Sequence, residues 1–242
     1  QEIIVEKTDD DLRLTIAWDL QFSSKEEYIY NEAMVDYPMS VLKKKETLDV
    51  LILGWWDGLL ANELMKYNNI DSITLCELDT EVVKICSEDV NICEYNGNVF
   101  QNPMLHVLYG DAFEFVKNTD KKYDLIIADF PNPHLPPLSK LYSIEFYQNI
   151  SNCIRVDGIF IAQVAEVHHT KKCFQCVWKT LKEVFVHTRG FSRYMEHTMG
   201  HLGFVLWSQS NILGGISVEQ EVIYDADNVV VNTVENMQSF TY

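Results

Sequence analysis

Positive charge is scarce in this chain of 242 residues: 19 Lys and Arg stand against 36 Asp and Glu, a formal net charge of −17. Such a field repels nucleic acid and anionic membranes and attracts small cations, or it is no more than a solvated acidic surface. Long apolar runs are missing as well. Nothing approaches the roughly 20 uninterrupted apolar residues of a membrane span, and no basic, apolar, small-residue start resembles a signal peptide. The chain opens on Gln1-Glu2-Ile3-Ile4-Val5, already strand-like, so what precedes Gln1 is left open. The six cysteines, Cys76, Cys86, Cys93, Cys153, Cys173 and Cys176, are scattered over expected strands and helices. That pattern points to reduced, cytoplasmic usage rather than a disulfide framework. Cys173-x-x-Cys176 has no second pair at zinc spacing, and Gly200 and Gly203 place His197 and His201 in a loop, so no metal is expected.

What is present suits one large domain with a small appendage: 47% hydrophobic and 23% charged residues, enough for a real core. Residues 1–38 make an N-terminal unit of a β-segment and a short helix: short runs within 1–35 alternate apolar and polar side chains around an Asp9-Asp10 turn and read as a small antiparallel β-segment. A short helix over about 25–36 follows and should end before Pro38. From 39 to 209 the grammar changes to alternating β and α. Strands are expected at 48–54, 73–79, 105–110, 123–130 and 158–164, with helices at 57–67, 80–92, 112–117, 143–156 and 170–185. Stretches 186–195 and 202–208 close the domain as an antiparallel hairpin. The fold class is therefore α/β: a Rossmann-like, methyltransferase-type, mostly parallel seven-stranded sheet with helices on both faces. Residues 210–242 form an acidic C-terminal extension, either an extra β-element or a tail.

In such sheets ligands bind at the carboxyl ends of the strands. Those ends carry Gly54-Trp55-Trp56-Asp57-Gly58, then Glu77 and Asp79, then Gly110-Asp111-Ala112, then Asp129. Glu77 lies 23 residues beyond Gly54, close to the spacing at which an acid takes a ribose diol. A carboxylate suits a diol because it accepts two charge-assisted hydrogen bonds. Asp111 is placed for an adenine amino group, and Asp129 is left nearest the reacting atoms. Any one of these acids alone could be a helix N-cap. There is no Gly-x-Gly-x-x-Gly and no Lys or Arg near these loops in sequence. A phosphate would want both, so an all-acidic rim fits a cationic nucleoside such as an adenosyl sulfonium better.

Several segments, in order, are similar to the polyamine aminopropyltransferase (spermidine synthase) family. These are Leu20-Gln21-Phe22-Ser23-Ser24 with Glu27, Tyr28, Tyr30 and Glu32; Leu51 to Asp57; Cys76-Glu77-Leu78-Asp79; Gly110-Asp111-Ala112; and Tyr123 to Asp129 followed by Leu141-Tyr142-Ser143 and Glu145-Phe146-Tyr147. The resemblance implies that Gln1, Asp57, Glu77 and Asp111 hold the adenosyl donor, with Gly54, Asp79 and Ala112 on the same loops. It implies that Tyr30 and Asp129 face the amine acceptor, with Gln21, Gln163 and Asn132 as further candidates. The implied enzyme is a transferase of polyamine biosynthesis. It moves an aminopropyl group from decarboxylated S-adenosylmethionine to putrescine or a longer amine and leaves methylthioadenosine. The resemblance also implies a possible homodimer, and no nucleic acid or membrane partner is expected.

The sequence departs from the family pattern at three places. Trp55-Trp56 replace two glycines of the glycine-rich loop, Ala17-Trp18 replace the residues that usually turn the chain after the second strand, and Asn132 replaces a second aspartate. Each indole brings about 150–250 Å² of surface. Three readings follow: Trp55 and Trp56 fill the donor pocket, leaving a degenerate binding or structural homologue; they wall an active pocket by cation–π contact; or they pack outward. An S-adenosylmethionine-dependent methyltransferase is a further alternative, but it would need a cation for the donor carboxylate near Gly54–Gly58.

Overall fold

The computed structural model describes residues 2–131, 136–168, 170–196, 200–222 and 229–236. Strands β1 (Ile3–Lys7), β2 (Leu12–Ile16) and β3 (Asp19–Ser23) form the expected antiparallel sheet in the order β1-β2-β3. Ala17 and Trp18 turn the chain from β2 to β3 at φ +49° and +73°. Tight hairpins need left-handed residues there, a position that Asn and Gly adopt more cheaply.

The helix after this sheet does not end before Pro38. α1 (Glu27–Asn31) runs into a π-helical turn, Glu32–Asp36, and then into α2 (Tyr37–Leu42). Proline lacks an N–H and crowds the carbonyl of the preceding turn. The wider π turn moves that carbonyl away, so Pro38 is accepted in the first turn of α2. Arg193 anchors the irregular turn, pairing with Glu32 at 2.9 Å and donating to the Tyr37 hydroxyl.

The main sheet has eight strands rather than seven. They are β4 (Leu48–Gly54), β5 (Ile70–Glu77), β6 (Leu105–Tyr109), β7 (Tyr123–Asp129), β8 (Ile154–Glu166), β9 (His187–Met195), β10 (Gly200–Ser208) and β11 (Glu221–Val222). Their order is β11-β9-β10-β8-β7-β4-β5-β6. β4 to β8 are parallel, β9 and β10 form the antiparallel hairpin, and the C-terminal extension supplies the two-residue β11 against β9. Further along, residues 229–236 also pack on the domain: Ile144 N–H donates to Asn232 O at 2.8 Å and Lys179 Nζ to Val229 O at 2.7 Å.

The connecting helices are α3 (Leu59–Leu64), α4 (Thr80–Glu88), α5 (Val90–Tyr95), α6 (Ala112–Asn118), α7 (Pro136–Ser139), α8 (Ile144–Cys153) and α9 (Lys171–Val184). One expected helix, 80–92, is two, because Asp89 leaves α4 in extended conformation and caps α5 through the N–H groups of Asn91 and Ile92. Alternate residues of the central strands enter opposite cores. Val50, Ile52 and Ile127 face the side of α1 and α3; Leu51, Leu53 and Ile126 face α6, α8 and α9. Each such buried side chain contributes about 1.5–3 kcal/mol, which pins both layers of helices to one sheet. Among the described residues no helix is long and apolar enough to cross a membrane. The chain leaves β4 towards β5 and β6, then returns to β7 on the other side of β4. That reversal opens a crevice between the carboxyl ends of β4 and β7.

Candidate active site

A cleft of about 830 Å³ occupies this crevice, a normal size for a small-molecule site. Gly54 and Asp129 lie opposite each other across the β4–β7 ladder. Gly54 adopts φ +76°, and a β-carbon there would sit 2.1 Å from the Asp129 carbonyl oxygen, so only glycine fits. Trp55 follows at φ +61°, a conformation that costs a bulky residue about 1–3 kcal/mol. Trp55 and Trp56 both line the cleft and are half-buried, each packed against a hydrophobic core. They neither fill the pocket nor point outward.

The loop turns Asp57 inward. It is buried, absent from the cleft wall, and its Oδ1 accepts the Leu59 N–H at 2.8 Å. Burial holds its pKa well above the carboxylate range; the charges of Glu27 and Asp129 add to this, and the Leu59 N–H opposes it. Asp57 thus stands apart from the residues with which the sequence grouped it.

Glu77 ends β5 and lines the cleft. Its Oε1 accepts the N–H groups of both Leu78 and Asp79 at 2.8 Å, while Oε2 takes no partner among the described residues. Burial raises its pKa despite those two donors. Asp79 and Asp111 also line the cleft, and both are N-caps: Asp79 for α4, through Glu81 N–H at 3.0 Å, and Asp111 for α6, through Phe113 N–H at 2.8 Å. Capping and cleft lining coexist because each helix begins where its strand ends. Ala112 sits beside Asp111 on the cleft wall.

The expectation of an all-acidic rim is wrong. Lys140, far along the sequence from the other loops, lines the cleft and forms an ion pair with Asp111 Oδ2. Burial alone would raise the Asp111 pKa, but the Lys140 ammonium and the Phe113 N–H outweigh it and the net shift is downward.

Asp129, half-buried at the end of β7, is the most perturbed acid on the cleft surface. Its pKa is pushed up to about 7, first by burial and then by the charge of Glu77, while Tyr30 opposes the rise. Tyr30 is 5% exposed, and its hydroxyl lies beside Asp129 without closing a hydrogen bond of good geometry. Burial and the Asp129 charge raise the phenol pKa, so it stays protonated. The Tyr30 and Trp55 rings stack 4.4 Å apart with planes within 5°.

Gln21 reaches the rim from β3, its side chain exposed and donating to Asp19 O at 3.0 Å. Gln163, nearly buried on β8, lines the inner wall. Gln1 and Asn132 lie outside the described residues. Sequence reasoning missed Lys140 and gave Glu27 no site role. Glu27 faces the cleft, takes hydrogen bonds from Tyr95 and Asn31, and has a raised pKa caused first by burial.

The family model for the spermine/spermidine synthase domain matches residues 27–213. The chain belongs to that family. Among its relatives, the polyamine aminopropyltransferase of Oceanobacillus iheyensis is 32% identical over 212 residues, covering 88% of this chain and 41% of that protein. Polyamine aminopropyltransferase 2 of Aquifex aeolicus is 34% identical over 209 residues, 86% of this chain and 42% of that one. The chain thus spans about two-fifths of the length of these curated relatives. A spermidine synthase solved in complex with the transition-state analogue AdoDATO superposes with a TM-score of 0.78 at 20% identity, covering 89% of this chain and 76% of the other. The Thermotoga maritima spermidine synthase gives 0.75 at 21% identity with the same coverages. Both share the fold, a Rossmann-like domain behind an N-terminal antiparallel sheet. The acids at the ends of β5, β6 and β7 line one cleft in this fold.

Proposed function

We propose that this domain transfers an aminopropyl group from decarboxylated S-adenosylmethionine to a polyamine, putrescine or a longer amine. The observation that carries the reading is a family-matched cleft whose strand-end acids include one, Asp129, with its pKa raised to about 7. The residues suit an adenosyl donor. Glu77 lines the cleft with one carboxylate oxygen that has no partner among the described residues and can accept a ribose diol, and Asp111 and Ala112 stand at the next strand end.

A protonated amine has no lone pair for attack, and free alkyl amines titrate near 10.4. Asp129 at the cleft surface receives the ammonium as a carboxylate and takes its proton as attack begins. The nitrogen lone pair forms a C–N bond to the carbon next to sulfur. The C–S pair leaves with sulfur, so the sulfonium becomes the neutral thioether of methylthioadenosine. No anion develops on the leaving group, and positioning of the two substrates supplies most of the remaining rate. Tyr30, kept protonated, orients the same nitrogen; Gln21 and Gln163 supply further polar contacts along the acceptor path.

Calorimetric titration with decarboxylated S-adenosylmethionine, S-adenosylmethionine and methylthioadenosine, paired with mass spectrometry of reactions containing putrescine or spermidine, tests the proposal. The decarboxylated donor should bind and methylthioadenosine should accumulate with the extended amine. Failure to bind any of the three nucleosides would sink it.

A further inference from the structure

Trp55 stands where the backbone disfavours it. Its φ of +61° directly follows Gly54 at +76°, so two left-handed residues succeed one another and the second carries the largest side chain. In that conformation the indole lies flat on Tyr30, with centroids 4.4 Å apart and planes within 5°. Phe204 meets the same phenol edge-on at 5.5 Å and 66°, fixing it from a second direction. A ring clamped in two directions leaves its hydroxyl one place, beside the Asp129 carboxylate at the cleft. Both Tyr30 Oη and Trp55 Nε1 are buried and close no hydrogen bond of good geometry among the described residues; the hydroxyl faces Asp129 and the indole N–H faces Asp57.

Resting on the proposed transfer reaction, the geometry points to Trp55 as a positioning residue. Its indole holds the Tyr30 hydroxyl against Asp129 and keeps water from the proton-accepting carboxylate. Trp55 is not the base; it acts through the pair it encloses. The groups facing Asp129 are Tyr30 from α1 and Glu77 from β5, with Asp57 repelling it from the loop after β4 and Tyr142 acting on Tyr30. Burial outweighs all of these in raising Asp129, and Trp55 lines the same cleft wall and stacks on the phenol that faces the carboxylate. Its removal admits water, and the Asp129 midpoint falls toward the ordinary carboxylate value.

The test is a ¹³C NMR titration of aspartate-labelled protein, with the Asp129 signal assigned by Asp129→Asn, run on the wild type, Trp55→Gly and Trp55→Phe. Rates with decarboxylated donor and putrescine are measured alongside. Glycine suits the left-handed backbone, so W55G removes the indole without adding strain. W55G should lower the Asp129 midpoint by about one pH unit or more and cut kcat about 10- to 100-fold, with donor KM nearly constant. The acid limb of kcat/KM should move to lower pH with the midpoint. W55F, which can restore a flat ring on Tyr30, should restore the midpoint and most of kcat.

An unchanged midpoint in W55G overturns the inference, and so does a W55F as impaired as W55G. Should W55G fail to fold, Trp55→Leu, which keeps apolar bulk without a ring plane, carries the same comparison. A wild type that transfers no aminopropyl group, yet shows the expected midpoint shifts, would refute the reaction and leave the positioning role standing.

Discussion

The two ends of one sheet treat the same residue type in opposite ways. At the amino-terminal end, Asp124 of β7 accepts Lys45 at 2.7 Å and Arg155 at 3.3 Å, and Asp49 of β4 accepts Lys121 at 2.8 Å and Arg155 at 3.2 Å. Asp157 shares Lys45 at 2.8 Å. Burial would raise Asp49, but Lys121, Ser72 and Arg155 overcome it; Lys45 holds Asp157 down. At the carboxyl end of the sheet, Asp129 and its neighbours Glu77 and Asp57 take no cation among the described residues, and all have raised pKa values. Lys140, the single basic side chain on the cleft wall among the described residues, is paired with Asp111. The contrast teaches that acidity itself marks nothing. A carboxylate given a partner holds strands together, whereas one denied a partner stores unfavourable energy that a cationic substrate can release.

The sharpest way to break the contrast is Asp129→Asn. Losing the proton acceptor should reduce kcat by about 100- to 10,000-fold. Stability should move the other way. A carboxyl whose pKa rises from 3.8 to about 7 on folding favours the fold fully below pH 3.8, and that contribution is lost as pH rises through about 7. The variant lacks this loss, so at about pH 8 its thermal midpoint should equal or exceed that of the wild type. Coincident melting and activity losses would show that Asp129 is structural.

Glu77→Gln comes next. A diol held by a charged acceptor is worth about 1.5–3 kcal/mol, so methylthioadenosine should bind about 10- to 150-fold more weakly. The acceptor KM, measured at saturating donor, should stay close to that of the wild type. At the opposite end Asp124→Asn should leave kcat unchanged. It removes the charge that Lys45 and Arg155 share while keeping an oxygen for the Asp49 N–H, now accepted at 3.0 Å. With Asp124 buried and its bases half-exposed, a loss of about 1–3 kcal/mol by denaturant unfolding is expected. An activity loss in this variant would erase the functional difference between the ends.

Much of this was legible in the sequence because periodicity reports burial. The N-terminal sheet lies where alternation places it, the central strands lie where short apolar runs place them, and the acids at their ends, Glu77, Asp111 and Asp129, line the cleft. The helix through Pro38 was not legible, since a π turn depends on tertiary anchors such as Arg193. Nor was the division among the acids. Asp57 and Asp129 both follow apolar strands, but only the fold shows that one turns inward and the other faces the cleft. The pairing of Lys140 with Asp111 joins residues distant in sequence, and no local pattern signals it. Trp55 and Trp56 were conspicuous as residues, yet whether they plug or wall a pocket depends on backbone angles that the sequence does not carry.

Lys140→Met carries the smallest expected effect and probes the one exception at the carboxyl end. The side chains of Lys140 and Asp111 remain 28% and 34% exposed, so water screens the pair and it contributes about 0–1 kcal/mol. Asp111 has a depressed pKa, so the pair's stabilisation is present above the ordinary value near 3.8 and disappears as pH falls through the depressed one. The stability gap between wild type and variant should therefore be flat at neutral pH, close in acid and shrink in high salt. Asp111 keeps its cap on Phe113 and gains a free oxygen, so the affinity for methylthioadenosine should change by less than about threefold. A loss beyond about tenfold would mean that the cleft's cation grips the nucleoside. The carboxyl end would then differ from the amino-terminal end in a second respect, its base serving the ligand rather than the fold.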